Sequence, residues 1–416
     1  MIRDRLILQQ RELTRKLNES YVERDVLFPA GEGLIKVIIG PRRTGKSTFA
    51  IRQLQKQGKF AYCNFDDEEF VRITDYQELV TELETLYEMP HFFLFDEIQN
   101  IPRWELLVNR LQRQGYQLVI TGSNAHLLSK ELATHLTGRH QQIILFPFSF
   151  KEFLRKKNQH LTSYETAQEF ENYLQQGGFP EPLSKELDKE DYLKTLFNNI
   201  LYKDIVKRWN IRSVPSIDQL AQYFFSAIGN EFSYHSLRRV TGVKSTATIE
   251  KYLHALQEAF LFFFLTRFSF KAKERETAQK KIYCIDNGFI QAKGISFSQQ
   301  RGKMYENIAA IELKKREMQG KIHFFYWKNP QQEEVDFVIK EGLKVTQLIQ
   351  VCEDISNEKT KMREMRALLK ASRELHCSDL LLLTREKEGT EKMEWFGMRG
   401  EVRFLPLWKW LLEGKF

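Results

Sequence analysis

Short apolar runs and amphipathic stretches alternate through the first third of the chain. The run Leu34-Ile35-Lys36-Val37-Ile38-Ile39 is of strand length, as are the stretch from Lys59 to Asp67, His91-Phe92-Phe93-Leu94-Phe95, Gln117-Leu118-Val119-Ile120-Thr121 and Gln142 to Phe146. Such runs, apolar on both faces, predict buried strands of a parallel sheet. Between them, Thr48 to Leu54, residues 75–88 and a segment leading to Thr137-Gly138-Arg139 predict helices. Alternating strands and helices predict an α/β core. Residues 2–24 predict an exposed charged helix ahead of it, ending near Pro29.

The pattern then changes. Phe150 to Lys157, Tyr164 to Gln176 and Tyr192 to Trp209 carry helical periodicity, the last two separated by the breaker Gly177-Gly178-Phe179-Pro180. They suit a helical lid beside the core, or equally an extra helical layer. Residues 217–228, Tyr234 to Val240 and Thr246 to Ala259 predict three more helices, with a turn at Thr241-Gly242-Val243 and Ser245 as a cap. The strand Leu261 to Phe268 leads into a basic loop, Lys271 to Arg275. Helix, helix, glycine turn, helix, hairpin predicts a winged helix-turn-helix. Beyond residue 300 the α/β pattern returns: a helix from Met304 to Met318, strands Lys321 to Trp327, Val335 to Lys340 and Thr346 to Cys352, a helix Lys359 to Glu374 and the strand Leu380 to Leu383. The aromatic end Phe404 to Leu412 is expected to dock onto a core, with an inter-subunit contact as the alternative.

At 416 residues the chain is long enough for two to four cores. No apolar run reaches the length of a membrane span, the charged N-terminus has no leader-like apolar core, and the four cysteines are scattered. The expectation is a cytoplasmic protein without a metal–thiolate site or a membrane partner. The net charge of +8 permits a polyanionic partner, and its distribution says more. Residues 189–282 hold sixteen Lys and Arg against nine Asp and Glu, a net +7. A basic stripe on a winged helix is the footprint of phosphate contacts. The expected DNA-facing residues are Lys244, Ser245, Thr246, Thr248 and Lys251 on the third helix and Arg267, Lys271, Lys273 and Arg275 on the wing. Winged helices also serve as packing modules, and a basic face can simply be solvated.

The sharpest chemical signal is Gly40-Pro41-Arg42-Arg43-Thr44-Gly45-Lys46-Ser47, followed by Thr48, between the first strand and its helix. The spacing G-x-x-x-x-G-K-[ST] lets backbone N–H groups and a helix N-terminus face phosphates. Lys46 is expected to reach the β- and γ-phosphates and Ser47 to ligate Mg²⁺. About 50 residues later an apolar strand runs into Asp96-Glu97, where Asp96 suits the metal and Glu97 the attacking water. Ser123 or Asn124, after the fourth strand, could meet the γ-phosphate or simply cap the next helix. Arg139 is a candidate for stabilising phosphoryl-transfer charge, often from a neighbouring subunit, or a solvated helix-end arginine.

These motifs, with Asp96-Glu97-Ile98-Gln99, Ile120-Thr121-Gly122-Ser123-Asn124, Leu136-Thr137-Gly138-Arg139, Phe146-Pro147-Phe148-Ser149-Phe150, Gly177-Gly178-Phe179-Pro180, Leu201-Tyr202-Lys203-Asp204-Ile205 and Glu334-Val335-Asp336-Phe337, occur in order along the chain. Together they resemble the AAA+ ATPases of bacteria and archaea that carry a C-terminal domain of uncharacterised function. The resemblance implies a sheet of order 5-1-4-3-2, ATP rather than GTP, Arg139 as an arginine finger and Ser123 or Asn124 as a sensor. The last segment resembles the PD-(D/E)xK nucleases, particularly Holliday-junction resolvases, with Glu306 and Asp336 in place. Gln350-Val351-Cys352 stands where Glu-x-Lys is needed, so nuclease activity is not expected. The domains expected are an N-terminal helix (1–30), an AAA+ P-loop core (31–148), a helical lid (149–215), a winged helix-turn-helix (216–285) and a degenerate nuclease-like α/β domain (286–416). The function expected is that of an oligomeric, Mg²⁺-dependent ATPase that translocates on or remodels DNA. The alternative is a nucleotide-dependent switch that binds a protein partner.

Overall fold

Each short apolar run near the start of the chain forms a strand, and the five pair side by side in parallel. The computed structural model describes residues 2–29, 31, 33–71, 73, 75–123, 136, 139–157, 161–185, 187–294 and 301–413. The chain divides into two units, Met1–Phe146 with Glu258–Phe260, and Pro147–Gln257 with Leu261–Phe416. No helix among the described residues is long and apolar enough to cross a membrane.

In the first unit, β1 (Ile35–Ile39), β2 (Phe60–Asn64), β3 (Phe92–Asp96), β4 (Gln117–Gly122) and β5 (His140–Ile144) lie in the order β5-β1-β4-β3-β2. Helices α1 (Ile2–Asn18), α2 (Lys46–Gln55), α3 (Glu68–Val71), α4 (Tyr76–Leu86) and α5 (Trp104–Arg113) accompany them. Strand side chains alternate between faces. Val37, Phe93, Phe95, Leu118 and Ile120 pack with Leu79 and Leu83 of α4 and Leu107 and Leu111 of α5. Ile38, Leu94 and Val119 pack with Phe49, Ala50 and Leu54 of α2. β5 starts at His140, two residues before the predicted strand, because His140 pairs with Ile35 at the start of β1. The predicted helix over 2–24 stops at Asn18. Arg52 of α2 donates to the carbonyl of Leu17 at 2.8 Å and to that of Glu19, satisfying the exposed end of α1. Gln9 pairs with the backbone of Asn64 in both directions, accepting from its N–H at 2.9 Å and donating to its carbonyl at 3.0 Å. The side chain thereby occupies backbone groups on the outer side of β2, an end strand of the sheet.

The second unit opens with α6 (Phe150–Lys157), α7 (Ser163–Gln176), α8 (Pro180–Ser184) and α9 (Lys189–Asn199), which continues as a π-helix over Ile200–Lys207. Gly177 takes φ +70, and the turn it makes is held by Asp286, whose carboxylate accepts from Gly178 N at 2.7 Å and Gly288 N at 2.8 Å. Then follow α10 (Val214–Ser226), β6 (Glu231–Phe232), α11 (Tyr234–Thr241), α12 (Thr246–Glu258), β7 (Phe262–Thr266), α13 (Ala272–Thr277) and β8 (Lys280–Cys284), with the strands in antiparallel order β6-β8-β7. Gly242, at φ +68, ends α11, and Ser245 accepts from Thr248 N at 3.4 Å at the start of α12. The predicted basic loop is in part a helix: Ser269 and Lys271 both bind Glu274, closing the first turn of α13.

After α14 (Asn287–Lys293) come α15 (Arg301–Met318), β9 (His323–Lys328), β10 (Glu334–Glu341), β11 (Lys344–Val351), α16 (Glu358–Leu375), β12 (Leu380–Thr384), β13 (Gly389–Trp395), β14 (Met398–Pro406) and α17 (Leu407–Glu413). The strands form one mixed sheet, β13-β14-β12-β11-β10-β9, parallel between β11, β12 and β14 and antiparallel elsewhere. Met365, Leu368 and Leu369 of α16 pack against Val335, Val338, Leu348, Leu380 and Phe404. The aromatic end docks within this unit: Trp410 is buried under the Arg316 guanidinium, 5.0 Å from its ring centre. A Cβ at Gly177 would lie 1.8 Å from Asp286 Oδ1 in a left-handed backbone. Gly177→Ala should therefore cost at least about 2 kcal/mol, read as a lower denaturant midpoint for this unit.

Candidate functional site

Strand β1 delivers the chain to Gly40, whose φ of +151 and approach to Leu145 leave no room for a side chain: a Cβ would lie 2.1 Å from the Leu145 carbonyl oxygen. The loop closes at Gly45, φ +86, which precedes α2. Lys46 folds back over it, its ammonium donating to the carbonyls of Gly40 at 3.2 Å and Pro41 at 2.9 Å. Thr44 donates to the Pro41 carbonyl at 2.9 Å, holding the same curl. Arg42 is half-buried, Arg43 is exposed with φ 67, and Ser47 and Thr48 lie half-buried in the first turn of α2.

Asp96, at the end of β3, is buried and meets three hydroxyls. Ser47 Oγ donates to Oδ1 at 2.8 Å, Thr121 Oγ1 donates to the same oxygen, and Tyr62 Oη donates to Oδ2 at 3.2 Å. Lys16 of α1 in turn donates to Tyr62 Oη at 3.2 Å. Burial, then the neighbouring Glu97 charge, pushes the Asp96 carboxyl above its ordinary value, while the hydroxyls and Lys16 pull the other way. Glu97 takes φ 52, a left-handed conformation that turns it out of the strand direction. Its N–H donates to Thr121 Oγ1 at 3.0 Å, and its carboxylate accepts from Gln99 and from Ser123 Oγ, the latter at 3.2 Å. Burial raises the Glu97 carboxyl, but Lys46, Gln99, Arg42 and Ser123 outweigh it and hold it below the ordinary range. Thus an ionised glutamate faces the phosphate-loop lysine beside an acid of opposite shift.

Sequence reasoning missed Tyr62, Thr121, Lys16 and Arg24. The Arg24 guanidinium donates to the carbonyls of Thr44 at 2.9 Å and Phe146 at 2.5 Å, tying the loop to the chain after β5. Parallel register was the available signal for Thr121, since Phe95 pairs with Ile120 and the next residues are Asp96 and Thr121. Arg139 is exposed and sits at the opposite end of the sheet, where its carbonyl accepts from Ile35 N at 3.0 Å. The whole of β1 separates it from Gly40, about 16 Å at strand rise. Asn124 lies outside the described residues.

Of the residues expected to face DNA, Lys244, Ser245, Thr246 and Lys251 are exposed and Thr248 is half-buried at the start of α12. Arg238 and Arg239, at the end of α11, are exposed as well. Lys271 and Lys273 are exposed and Arg275 half-buried, but Lys271 pairs with Glu274 at 2.9 Å. Arg267 is half-buried, its guanidinium donating to the Lys328 carbonyl.

Residues 32–154, which hold the phosphate loop and the Asp96–Glu97 pair, match an AAA domain. Residues 167–299 match a domain of unknown function (DUF8612), and residues 301–406 match another (DUF4143). The uncharacterised protein MJ1544 of Methanocaldococcus jannaschii is 34% identical over 98% of this chain and 95% of its own length. The chain belongs to this family of AAA-domain proteins. An uncharacterised protein of Haemophilus influenzae is 33% identical over 72% of this AAA-domain protein and 78% of its own chain. Among solved structures, the Walker-type ATPase PABY2304 of Pyrococcus abyssi is similar at 18% identity and a TM-score of 0.45, covering 69% of this chain and 95% of that one. The Aeropyrum pernix ORC1 protein, solved in complex with DNA, is similar at 10% identity and a TM-score of 0.29, covering 74% and 94%.

Removing the Thr121 hydroxyl would leave a buried carboxylate short of one donor and the Glu97 N–H without its acceptor. Thr121→Val should lower the unfolding free energy of the AAA domain by about 1–3 kcal/mol in a denaturant titration. A change within experimental error would show that the hydroxyl does not hold the pair.

Proposed function

We propose that the chain is a Mg²⁺-dependent ATPase of the AAA+ type whose C-terminal half binds DNA, and that hydrolysis between subunits drives movement on the duplex or its remodelling. The observation that carries the ATPase reading is the convergence of Ser47 and Asp96 beside the Lys46 loop, with Glu97 held ionised next to it. A hydroxyl and a carboxylate 2.8 Å apart form the oxygen set that Mg²⁺ takes from a protein when phosphates complete its shell. Ser47 and Asp96 would hold the ion, which supplies charge neutralisation to the phosphates. Gly40 to Thr48 would cradle those phosphates, and Lys46 would turn from the Gly40 and Pro41 carbonyls to meet them. Glu97, with Ser123 and Gln99 fixing its carboxylate, would orient and deprotonate the attacking water. Arg139 lies too far along β1 to serve its own nucleotide, so a finger role calls for a second copy.

The DNA reading rests on the α10–β6–α11–α12–β7–β8 order, that of a winged helix, and on the exposed bases Arg238, Arg239, Lys244 and Lys251 around its glycine turn. Support from the wing is weaker than from α12, because Arg267 and Lys271 already have partners. The run α15–β9–β10–β11–α16–β12 follows the order of the PD-(D/E)xK nucleases. Gln350 and Cys352 are committed elsewhere, Gln350 donating to Glu364 at 2.8 Å and the Cys352 thiol pushed up to about 12, chiefly by burial. That favours a binding role over a cutting one. The rival reading, a nucleotide switch with a protein partner, needs no basic face on α12.

DNA separates the two. Turnover should rise when duplex or branched DNA is added at low salt, and binding should weaken steeply as salt increases. No binding and no stimulation would leave only the switch. Lys46→Ala should abolish or severely weaken nucleotide binding in a fluorescent-nucleotide titration, whereas Glu97→Gln should keep it and slow turnover by about a hundredfold or more. Arg139→Ala should also slow turnover, and mixing it with Glu97→Gln protein should restore activity, since each mixed interface pairs an intact base with an intact finger. Absence of rescue at every ratio would mean that Arg139 does not act in a partner's site.

A further inference from the structure

A lysine sits where its charge is hardest to accommodate. Lys281, on β8, is 1% exposed, yet its ammonium lies 2.9 Å from Glu306 Oε1 of α15, 2.6 Å from Glu334 Oε1 and 3.1 Å from Asp336 Oδ1, both on β10. An ammonium has three protons, and three carboxylate oxygens from three residues take them. The shell around these acids is complete. Tyr283 Oη donates to Glu306 Oε1 at 2.7 Å, Lys303 Nζ donates to Glu306 Oε2 at 2.9 Å, and Val351 N donates to Asp336 Oδ2 at 3.0 Å. Burial works against the Lys281 charge, but Glu306, Tyr283, Asp336 and Glu334 outweigh it. Glu306 is drawn down to about 2 by Lys281 and Lys303 against the effect of its own burial. Asp336 moves the other way, raised by burial and by the Glu306 charge.

A pocket of about 720 Å³ opens beside this cluster, lined among others by Lys303, Glu306, Glu334, Asp336, Gln350 and Glu364. Three carboxylate oxygens around one point, at the mouth of a polar pocket, are the donor set of a hard divalent cation. The ammonium stands at that point, and among the described residues no group of three acids, histidines or cysteines remains that could hold a metal. Its distances of 2.6–3.1 Å exceed the metal–oxygen distances of such ions by less than about 1 Å, so a modest contraction would convert one shell into the other.

We propose that Lys281 occupies, from within the chain, the position a divalent cation would take among Glu306, Glu334 and Asp336, so that this cluster is a metal site closed by the protein's own cation. Closure also fastens β8 to α15 and β10, joining the three-stranded sheet to the six-stranded one through buried charge. The inference is independent of what the AAA domain does.

Mn²⁺ is the probe, counted by electron paramagnetic resonance on the full chain carrying Asp96→Asn to remove the acid assigned to the nucleotide site. With Lys281 present, no bound Mn²⁺ should depend on Asp336. Lys281→Ala should lower the thermal midpoint of the second unit by roughly 10 °C, the scale of a broken buried ion pair. It should also gain one Mn²⁺ per chain and recover its midpoint as Mn²⁺ is added. Lys281→Met, which fills the space without charge, should be destabilised and not rescued. Adding Asp336→Asn to Lys281→Ala should abolish the new binding. If Lys281→Ala folds only when refolded with Mn²⁺, that result supports the inference; failure to fold with Mn²⁺ present opposes it. A Mn²⁺ bound to the Lys281-containing chain and lost in Asp336→Asn would overturn it, as would a folded Lys281→Ala that takes up none.

Discussion

Asp96 is a carboxylate inside a protein, and such a group persists only when hydrogen-bond donors replace the water it has lost. Three elements supply them: the first turn of α2 through Ser47, β4 through Thr121 and β2 through Tyr62. Each donor arrives because the strands are parallel and in register, with Phe95 beside Ile120 on one side and Cys63 on the other. The loop that precedes α2, the turn that carries Glu97 and the N-terminal helix that sends Lys16 to Tyr62 are thus tied to one oxygen pair. A shift in any of them would be felt by the others, a coupling that suits a site whose occupant changes charge during a reaction cycle.

The second unit is organised by a different principle. Its buried polar groups are numerous and fully engaged: Asp286 holds the turn at Gly177–Gly178, Asn287 donates to the carbonyls of Leu174 and Met304, and Asn307 pairs with both backbone groups of Cys284. Such contacts contribute little net stability compared with apolar burial, but they tolerate few alternative packings. Helical layer, small sheet and large sheet therefore meet in one arrangement.

Much of the first unit was legible in the chain itself. The run into Asp96–Glu97 and the glycine spacing at 40–45 are local signals, and strands buried on both faces declare themselves by continuous apolar composition. Strand order was another matter; it came from family resemblance, since nothing in a single strand says which neighbour it will have. Tyr62 and Thr121 looked like ordinary strand residues because their importance lies in what stands beside them across the sheet. Lys281 was counted with a basic stripe, and only the fold shows it turned inward to three acids far along the chain. β13 and β14 escaped for a converse reason: Gly389–Trp395 and Met398–Pro406 keep one face in water and are too polar for apolar runs to reveal. Helix α13 depended on a side-chain contact, Ser269 and Lys271 with Glu274, that overrode the look of a basic loop.

The side-chain amide of Gln9 has a consequence for assembly. By mimicking a neighbouring strand at Asn64, it spends the groups that another polypeptide would need to extend the sheet at β2. Copies of this protein cannot then join by continuing that sheet from one molecule into the next. Any ring or filament must be built from helix and loop surfaces, whose contacts can loosen and re-form without unzipping backbone, and a ratchet between subunits needs that kind of joint.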